Sequence, residues 1–387
     1  MRRSLGVLLG VAAAVAAAAG AGLLLRQGDG QAQVRLISVG ESPEGFARAE
    51  GPRPFDFPTD HGSHPDYQTE WWYYTGNLRA ADGRHFGYQL TFFRRALQPA
   101  ANRADRASDW AAEQVYMAHF ALTDVEAGDF HAFERFSRGA AGLAGASGSP
   151  YRVWLEGWSA EEVAPSVYRL RAAQDGLALD LTLADTKGPI LQGDGGYSQK
   201  GPEPGNASYY VSLTRLETNG LVSVPDGRFD VAGLSWMDHE FGTSALSGGQ
   251  IGWDWFSIQL DDDSELMLYH IRREDESIDP YSQGAYIAPD GIPVPLSHRA
   301  GDYRIEVLGA WRSPRTGAEY PARWRIEVPG EGLRLRVEPW LADQELNVSY
   351  AYWEGAVRVT GERDGRPVGG NGYVEMTGYA GSMEGQF

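Results

Sequence analysis

The sequence predicts an all-β protein in which two antiparallel β-barrels pack together. Apolar residues alternate with polar or small ones in strand-length runs, for example over 177–183 and 209–213, which is the period of a strand with one buried face. Asp-Gly pairs, typical of hairpin turns, separate such runs; the five that are good hairpin candidates begin at Asp82, Asp175, Asp226, Asp290 and Asp364. A single sheet of this size would curl or close, and 387 residues are enough for two barrels.

The first 30 residues have the pattern of a targeting segment. Arg2 and Arg3 precede an uncharged run at 4–25 that is rich in Ala, Leu, Val and Gly, which is the order of a signal peptide. The same run is long enough to span a bilayer, so a cleaved signal and a retained membrane anchor are both open. In either case the sequence predicts an extracytoplasmic protein that meets the membrane only through this segment.

The rest of the chain divides into a linker and two barrels. Residues 31–53 are polar and Gly-rich and predict a linker. The Gly- and Ser-rich stretch 242–252 lies between two aromatic strand-like runs, which places the N-terminal barrel at 54–243 and the C-terminal barrel at 244–387. Helical periodicity is poor throughout. The best candidate for a short helix is 100–113, with a long loop as the alternative.

The composition excludes several classes of function. The formal net charge of −18 argues against nucleic acid as a partner. The chain has no cysteine, which excludes disulfides, zinc–thiolate sites and a cysteine nucleophile. It has no nucleotide-binding loop, dinucleotide fingerprint or Gly-x-Ser-x-Gly elbow, so we expect neither a cofactor nor Ser-His-Asp catalysis. His61 and His64 have a spacing seen at metal sites, but the sequence offers no obvious third ligand, and we predict no metal.

The stretch HGSHPDYQTEWWYYTG at 61–76 predicts a strand that is buried on both faces. Because side chains alternate along a strand, Glu70, Trp72 and Tyr74 share one face. Trp71 and Tyr73 then share the other. A carboxylate among aromatic rings must find a partner or change its pKa. Glu70 is therefore a candidate site residue.

A second cluster, WMDHEFG at 236–242, places Asp238 and His239 between aromatic residues. A histidine beside carboxylates can hold a proton near neutral pH and transfer it, which is the requirement of general acid–base chemistry. The alternative is a charged turn between strands, with His239 in solvent.

A third run, GWDWFSIQL at 252–260, puts Asp254 on an apolar face and Trp253 and Trp255 on the other. An acid on an apolar face indicates either a pocket or a structural ion pair. Tyr269 follows on the next predicted strand. His119, in the run YMAHFALTD, is either a hydrogen-bonded interior histidine or a catalytic one.

Six motifs together resemble one family. They are HGSHPDYQTEWWYYTG, YMAHFALTD, WMDHEFG, GWDWFSIQL, YWEGAVRVTG and GNGYVEMTGY, in this order between about 55 and 379. The family is the AttH-like and carotenoid 1,2-hydratase-like (hydroxyneurosporene synthase-like) group, and the chain looks closest to its secreted subset, often labelled predicted hydrolases. The resemblance implies twin lipocalin-like barrels with an aromatic pocket at their junction.

The residue patterns and the resemblance together give the candidate site residues, of which Glu354, Tyr373 and Glu375 are implied by the resemblance alone. The predicted catalytic residues, expected to converge on one pocket, are Glu70, Asp238, His239 and Asp254. The predicted substrate-binding residues are Trp71, Trp72, Tyr74, His119, Trp236, Trp253, Trp255, Gln259, Tyr269, Glu354, Tyr373 and Glu375.

Two functions are open. The first is a cofactor-independent enzyme that acts on a hydrophobic substrate (isoprenoid, lipid or polyketide-like), most simply by adding water to a double bond. A protonated acid would protonate the alkene, and aromatic faces would stabilise the resulting cation. The second is a lipocalin-type carrier of a lipophilic ligand that works with an ABC transporter permease, in which the polar groups only orient the ligand. We expect a monomer in both cases.

Overall fold

The computed structural model describes residues 24–28, 31–35, 44–102, 113–243 and 246–383. Within these residues the chain is almost entirely β, and every strand pair is antiparallel. The helical elements of this part of the chain are the 3-10 turns Thr59–His61, Ala100–Asn102 and Pro329–Glu331. None of its helices has the length and hydropathy needed to cross a membrane. The predicted all-β class is confirmed.

The strands fall into a short hairpin and two large sheets. The hairpin pairs β1 (Leu24–Gly28) with β2 (Gln31–Arg35). The first sheet contains β3 (Thr69–Ala80), β4 (His85–Ala96), β5 (Gln114–Asp124), β6 (Asp129–Arg138), β7 (Ala144–Gly148), β8 (Tyr151–Leu155), β9 (Trp158–Ala164), β10 (Val167–Gln174), β11 (Leu177–Asp185), β12 (Ile190–Leu191), β13 (Tyr197–Gln199), β14 (Ala207–Val224) and β15 (Gly227–Gly242).

The second sheet follows in the chain. It contains β16 (Gln250–Leu260), β17 (Glu265–Arg273), β18 (Gln283–Ile287), β19 (Pro293–Ser297), β20 (Arg304–Arg312), β21 (Glu319–Val328), β22 (Leu333–Pro339), β23 (Glu345–Asn347), β24 (Ala351–Arg363) and β25 (Arg366–Met376). In both sheets the late strands return to pair with the first strand, β15 with β3 and β25 with β16. The first sheet thereby curls into a near-barrel and the second into a half-barrel.

Each of these five Asp-Gly pairs lies where two successive strands connect, although Gly227 is already the first residue of β15. Two of them have positive φ at both residues, with values of 50° and 85° at Asp175 and Gly176 and of 49° and 77° at Asp364 and Gly365. Positive φ at both central positions is the geometry of the two-residue hairpin turn that matches strand twist, and Asp-Gly is a preferred pair there. The five predicted hairpins are present, and two of them have this turn geometry.

Apolar side chains form three main layers. One core fills the first sheet and a second fills the half-barrel. A third cluster lies between the sheets and contains Tyr73, Tyr210, Trp236, Trp255 and Tyr269. Because of this third layer, β3, β15 and β16 are covered on both faces. For β3 the aromatic pattern at 61–76 predicted this.

Two predicted segments lie largely outside the described residues. They are the leader, except for β1, and the helix candidate at 100–113.

Part of the predicted linker packs on the first sheet. Ala49 is fully buried beside Tyr209 and Phe241, and the hydroxyl of Tyr209 donates to the carbonyl of Gly51. This segment packs on the first sheet because it covers an apolar patch.

A close approach of backbones joins the two sheets. A Cβ placed on Gly87 of β4 would lie 2.4 Å from the Cβ of Ala356 of β24, and Ala356 is fully buried. Nearby, the amide of Asn77 donates to the carbonyl of Gly372 across the junction at 2.9 Å. Glycine is thus required at position 87 by the space between the sheets.

Gly87→Ala tests this contact. We expect the variant to lose about 1–3 kcal/mol of unfolding free energy, the usual cost of overpacking a filled interior, as measured by urea unfolding. Gly157→Ala is the matched control, since a Cβ at Gly157 meets nothing within 4 Å. Equal stabilities of the two variants would contradict the inferred packing.

Candidate functional site

A cavity of about 130 Å³ lies at the junction of the two sheets. The first sheet lines it with the aromatic residues Trp71, Tyr73, Phe93 and Tyr210. The second half of the chain adds Trp253, Trp255, Tyr269 and Tyr350. A cavity of roughly 150 Å³ is enough to hold one benzene molecule, so this one has room for a small group or for the end of a longer chain.

Strand alternation selects the residues of the first sheet that reach the cavity. In β3, Trp71 and Tyr73 line it, whereas Trp72 belongs to the core of the first sheet. β15 pairs with β3 so that Asp238 lies opposite Tyr73 and Glu240 lies opposite Trp71. Opposite residues in an antiparallel pair share a face, and both carboxyl groups therefore line the cavity with the aromatic rings.

The second sheet contributes by the same rule. In β16, Trp253 and Trp255 line the cavity, and Phe256 points into the core of the half-barrel. Glu375 of β25 lies opposite Trp255 and is a third carboxyl group in the lining. The cavity is thus aromatic and acidic on both sides of the junction.

Asp238 is held by three hydrogen-bond donors. The hydroxyl of Tyr210 donates to one carboxyl oxygen at 2.5 Å. The hydroxyl of Ser212 and the indole N–H of Trp236 donate to the other at 2.6 and 2.7 Å. Burial raises the pKa of Asp238 to about 7, with a contribution from Glu240, although the three hydrogen bonds oppose the shift. This carboxyl group is fixed in position and titrates near neutral pH.

Glu375 has fewer partners than Asp238. The indole N–H of Trp253 donates to its carboxylate at 3.2 Å. Burial raises the pKa of Glu375 to about 7, and the charges of Asp238 and Glu240 act in the same direction. A single weak hydrogen bond stabilises the ionised form of Glu375, whereas three stabilise that of Asp238.

The third carboxyl group of the cavity is paired. Lys200 lies 3.1 Å from Glu240, and the hydroxyl of Ser208 also donates to Glu240. The ammonium of Lys200 lies 4.3 Å from the ring centre of Tyr269 and 5.2 Å from that of Tyr210. Burial lowers the pKa of Lys200, but Glu240 and Tyr269 together more than offset this effect and leave the pKa above its usual value. Lys200 is therefore charged.

Behind the cavity wall lies a further buried acid. The hydroxyl of Tyr73 donates to Glu354, which is fully buried and lies opposite Glu375 on the neighbouring strand. Burial and the charge of Glu375 raise the pKa of Glu354 well above its usual value. Tyr373, also predicted to bind substrate, is buried without lining the cavity.

The structure does not bring the four predicted catalytic residues together. His239 and Glu70 lie inside the first sheet, with His239 Nε2 at 2.9 Å from Glu70 Oε1. His64 Nδ1 lies 2.8 Å from the same oxygen, and Arg94 Nε donates to the other oxygen at 2.8 Å. Burial raises the pKa of Glu70, but Arg94 and the two histidines lower it by more. Asp238 and His239 are separated because neighbouring residues of a strand point to opposite faces.

The cluster of His64, Glu70 and His239 has the composition of a metal site, with ligand atoms within 4.8 Å of one another. The other ring nitrogen of His64, however, lies 2.9 Å from Asp60. Burial lowers the pKa of His64, but Asp60 and Glu70 raise it by more, which favours an imidazolium that donates from both nitrogens. Together with Arg94 it balances the charge of Glu70, so the geometry is that of an ion network.

Asp254 also lies away from the cavity. It pairs with Arg272 at 3.0 Å and accepts a hydrogen bond from the hydroxyl of Tyr379 at 3.0 Å. Burial raises the pKa of Asp254, and Arg272 opposes the rise. Asp254 therefore forms a structural ion pair, which was the alternative to a position in a pocket.

Several predicted substrate-binding residues hold the fold instead. His119 contacts the hydroxyl of Tyr352 at 2.7 Å and thereby links the sheets. Gln259 donates to the carbonyls of Thr214 and Ser235 at 2.7 and 2.9 Å. The remaining three are buried: Trp72 and Tyr74 in the core of the first sheet, and Trp236 as the donor to Asp238.

The predicted residues that do line the cavity are Trp71, Asp238, Trp253, Trp255, Tyr269 and Glu375. Sequence reasoning missed Tyr73 and Glu240. Strand alternation places them on the same faces as Trp71 and Asp238, which were predicted. It also missed Lys200 and Tyr210, for which the sequence holds no local signal. Their positions depend on how distant strands pair.

Comparison with known proteins identifies relatives of the whole fold. A profile of the AttH-like family matches residues 48–379. The crystal structure of an AttH protein from Nitrosomonas europaea is 33% identical, with a TM-score of 0.76, and the match covers 86% of this chain and 100% of that one. Kievitone hydratase from Nectria haematococca shares the fold at 14% identity and a TM-score of 0.64, over 88% of this chain and 98% of that one. Among curated protein sequences, none matches.

Glu375→Gln tests the raised pKa of Glu375. A carboxyl group whose folded pKa is about 7, against roughly 4.3 when unfolded, stabilises the native state fully below the unfolded value and loses that contribution as the pH rises through 7. The variant cannot lose it. We expect its unfolding free energy, relative to the wild type, to rise by about 2 kcal/mol between about pH 5 and pH 8, since one unit corresponds to about 1.4 kcal/mol.

Urea unfolding at the two pH values measures this difference. Glu217→Gln, on the exposed side of β14, is the control and should change equally at both. A Glu375→Gln difference that does not depend on pH would show that Glu375 titrates normally.

Proposed function

Because the chain belongs to the AttH-like family, we propose that it is a cofactor-independent enzyme that acts on a hydrophobic substrate by acid–base chemistry in the cavity between the sheets. The reaction is hydratase-like addition of water to a carbon–carbon double bond. One observation carries the proposal: two carboxyl groups with a pKa of about 7, Asp238 and Glu375, line one aromatic cavity. A pKa near the working pH is what general acid–base catalysis requires.

The two carboxyl groups have different roles in this reaction. Glu375, with one weak hydrogen bond, is the acid: its proton forms a C–H bond with one alkene carbon, and the π electrons leave the other carbon as a cation. Asp238, whose ionised form accepts three hydrogen bonds, is the base: it orients a water molecule whose oxygen forms the C–O bond, and it accepts the released proton. Exchange with solvent then restores both groups.

Aromatic rings supply the remaining stabilisation. Trp71, Trp253 and Trp255 line the cavity beside the two carboxyl groups, and the face of an aromatic ring attracts positive charge, most strongly for Trp. Neither step needs a metal or a nucleotide. Water addition is proposed over other acid–base reactions because a protein of the same fold is a kievitone hydratase.

A second candidate is a lipophilic carrier. It is favoured by the fact that Glu70, His239 and Asp254 are all paired outside the cavity, so fewer ionisable groups face the ligand than catalysis was expected to use. In this function Asp238 and Glu375 orient a bound molecule, which an ABC transporter permease delivers or receives. An extracytoplasmic location for a monomeric protein suits both candidates.

The test offers the purified protein isoprenoid, fatty-acid and polyketide-like alkenes in water enriched in oxygen-18. Mass spectrometry then measures uptake of one solvent oxygen. We expect Glu375→Gln and Asp238→Asn each to lower the rate by about 10²-fold or more, the scale of a lost acid or base. Glu217→Gln should retain the wild-type rate.

Two outcomes would count against the enzyme. Wild-type rates in both cavity variants would remove the proposed acid and base. Retention of an alkene without any oxygen uptake would favour the carrier.

A further inference from the structure

We propose that the same cavity binds a compact organic cation, an alkylated ammonium group, between the rings of Trp71, Trp253 and Trp255 and the carboxylates of Asp238 and Glu375. The proposal deepens the proposed function and rests on it for the location of the site. It adds the charge of the ligand: positive, either permanently or at the reacting carbon.

The first support is the kind of surface that faces the cavity. The indole rings of Trp71, Trp253 and Trp255 line it, and Trp71 and Trp253 are half-buried. The ring of Trp255 is met edge-on by Tyr73, with 5.1 Å between ring centres, which fixes its orientation. Rigid aromatic rings around a small space are how proteins recognise quaternary ammonium groups.

The second support is an ammonium that this wall already holds. Lys200 lies over the faces of Tyr269 and Tyr210, with Glu240 as its counter-ion. The indole side of the cavity repeats this composition, with aromatic rings and the carboxyl groups of Asp238 and Glu375. Within the described residues no cation pairs with Asp238 or Glu375. A bound cation would be the counter-ion of these two carboxyl groups, as Lys200 is the counter-ion of Glu240.

The third support is charge balance. With all groups ionised, the cavity holds three carboxylates, Asp238, Glu240 and Glu375, and one ammonium, Lys200, a net charge of 1 − 3 = −2. Confined carboxylates without counter-ions are costly, which is why the pKa of Asp238 and of Glu375 is about 7. A cation that enters the cavity removes this cost and displaces protons from the two groups.

The surroundings of the two carboxyl groups do not supply that charge. The titratable and charged groups around them are Glu240, Lys200, Glu354, Tyr73, Tyr210, Tyr269, Tyr350 and Tyr352. The pKa of Glu354 and of these tyrosines, Tyr73, Tyr210, Tyr350 and Tyr352, is raised, so they are neutral at pH 7. Lys200 is matched by Glu240. Protons are therefore the competitors of an organic cation for Asp238 and Glu375.

The size of the cavity limits the ligand. A volume of about 130 Å³ is close to the roughly 150 Å³ that holds benzene, which admits a trimethylammonium head group but not a bulky polycyclic amine. Choline and 3,3-dimethylbutan-1-ol form a matched pair of probes. They have nearly the same shape, and the second has a neutral carbon in place of the ammonium nitrogen.

Titration calorimetry of the full-length protein with the two probes, at about pH 6 and about pH 8, tests the proposal. At pH 8 we expect choline to bind at least about tenfold more tightly than the neutral alcohol, the scale of a desolvated cation–π contact. Choline affinity should fall by about tenfold at pH 6, because both carboxyl groups then hold protons, whereas the affinity of the alcohol should not change.

Variants locate the effect. Glu375→Gln and Asp238→Asn should each weaken choline binding at pH 8 by about tenfold or more and leave binding of the neutral alcohol unchanged, which also shows that the cavity is still folded. Glu217→Gln should bind both probes as the wild type does. Equal affinity for the two probes, or choline binding that neither cavity variant changes, would overturn the proposal.

The result separates this inference from the proposed function. If choline binds with this pH dependence and no alkene takes up solvent oxygen, the cation site stands and the hydratase does not. If alkenes are hydrated and choline is not preferred over the alcohol, the hydratase stands and the cation site does not.

Discussion

The site depends on the two-residue period of strands that are covered on both faces. β3 and β15 of the first sheet and β16 and β25 of the second each separate a core from the junction, so alternate side chains face the junction and some of them line the cavity. A shift of one residue in the register of β3 would exchange Trp71 and Tyr73 for Glu70 and Trp72, and the ion network would face the cavity instead. The two cores, which fill both barrels, prevent that shift.

Charge compensation then decides what each carboxyl group can do. Glu70 and Glu375 are both surrounded by aromatic rings, but Glu70 contacts Arg94 and two histidines, whereas Glu375 has one indole N–H. The pKa of Glu70 is consequently lowered and that of Glu375 is raised. Burial penalises the charge of both, so the difference in chemistry comes from the partners. Asp238 and Glu375, which have no cationic partner among the described residues, are therefore the candidates for proton transfer and for binding a cation. Glu70, which belongs to an ion network, is not.

The two sheets are both needed for the site. Asp238 comes from the first and Glu375 from the second, and the charge of Asp238 raises the pKa of Glu375 because the sheets pack together. Contacts such as Asn77 with Gly372 and His119 with Tyr352 hold the junction. Residues that looked catalytic in the sequence, such as His119, therefore serve the site by positioning the sheets that form it.

The sequence by itself determined the class of fold, the hairpin turns and the face on which each residue of β3 and β16 lies, because these follow from local alternation and turn chemistry. It also pointed to Trp71, Asp238, Trp253 and Glu375. Only the tertiary structure decided which face of each strand meets the other sheet. That choice separated Asp238 from His239 and brought in Lys200 and Tyr210, since it depends on the pairing of strands far apart in the chain, where no local pattern records the partner.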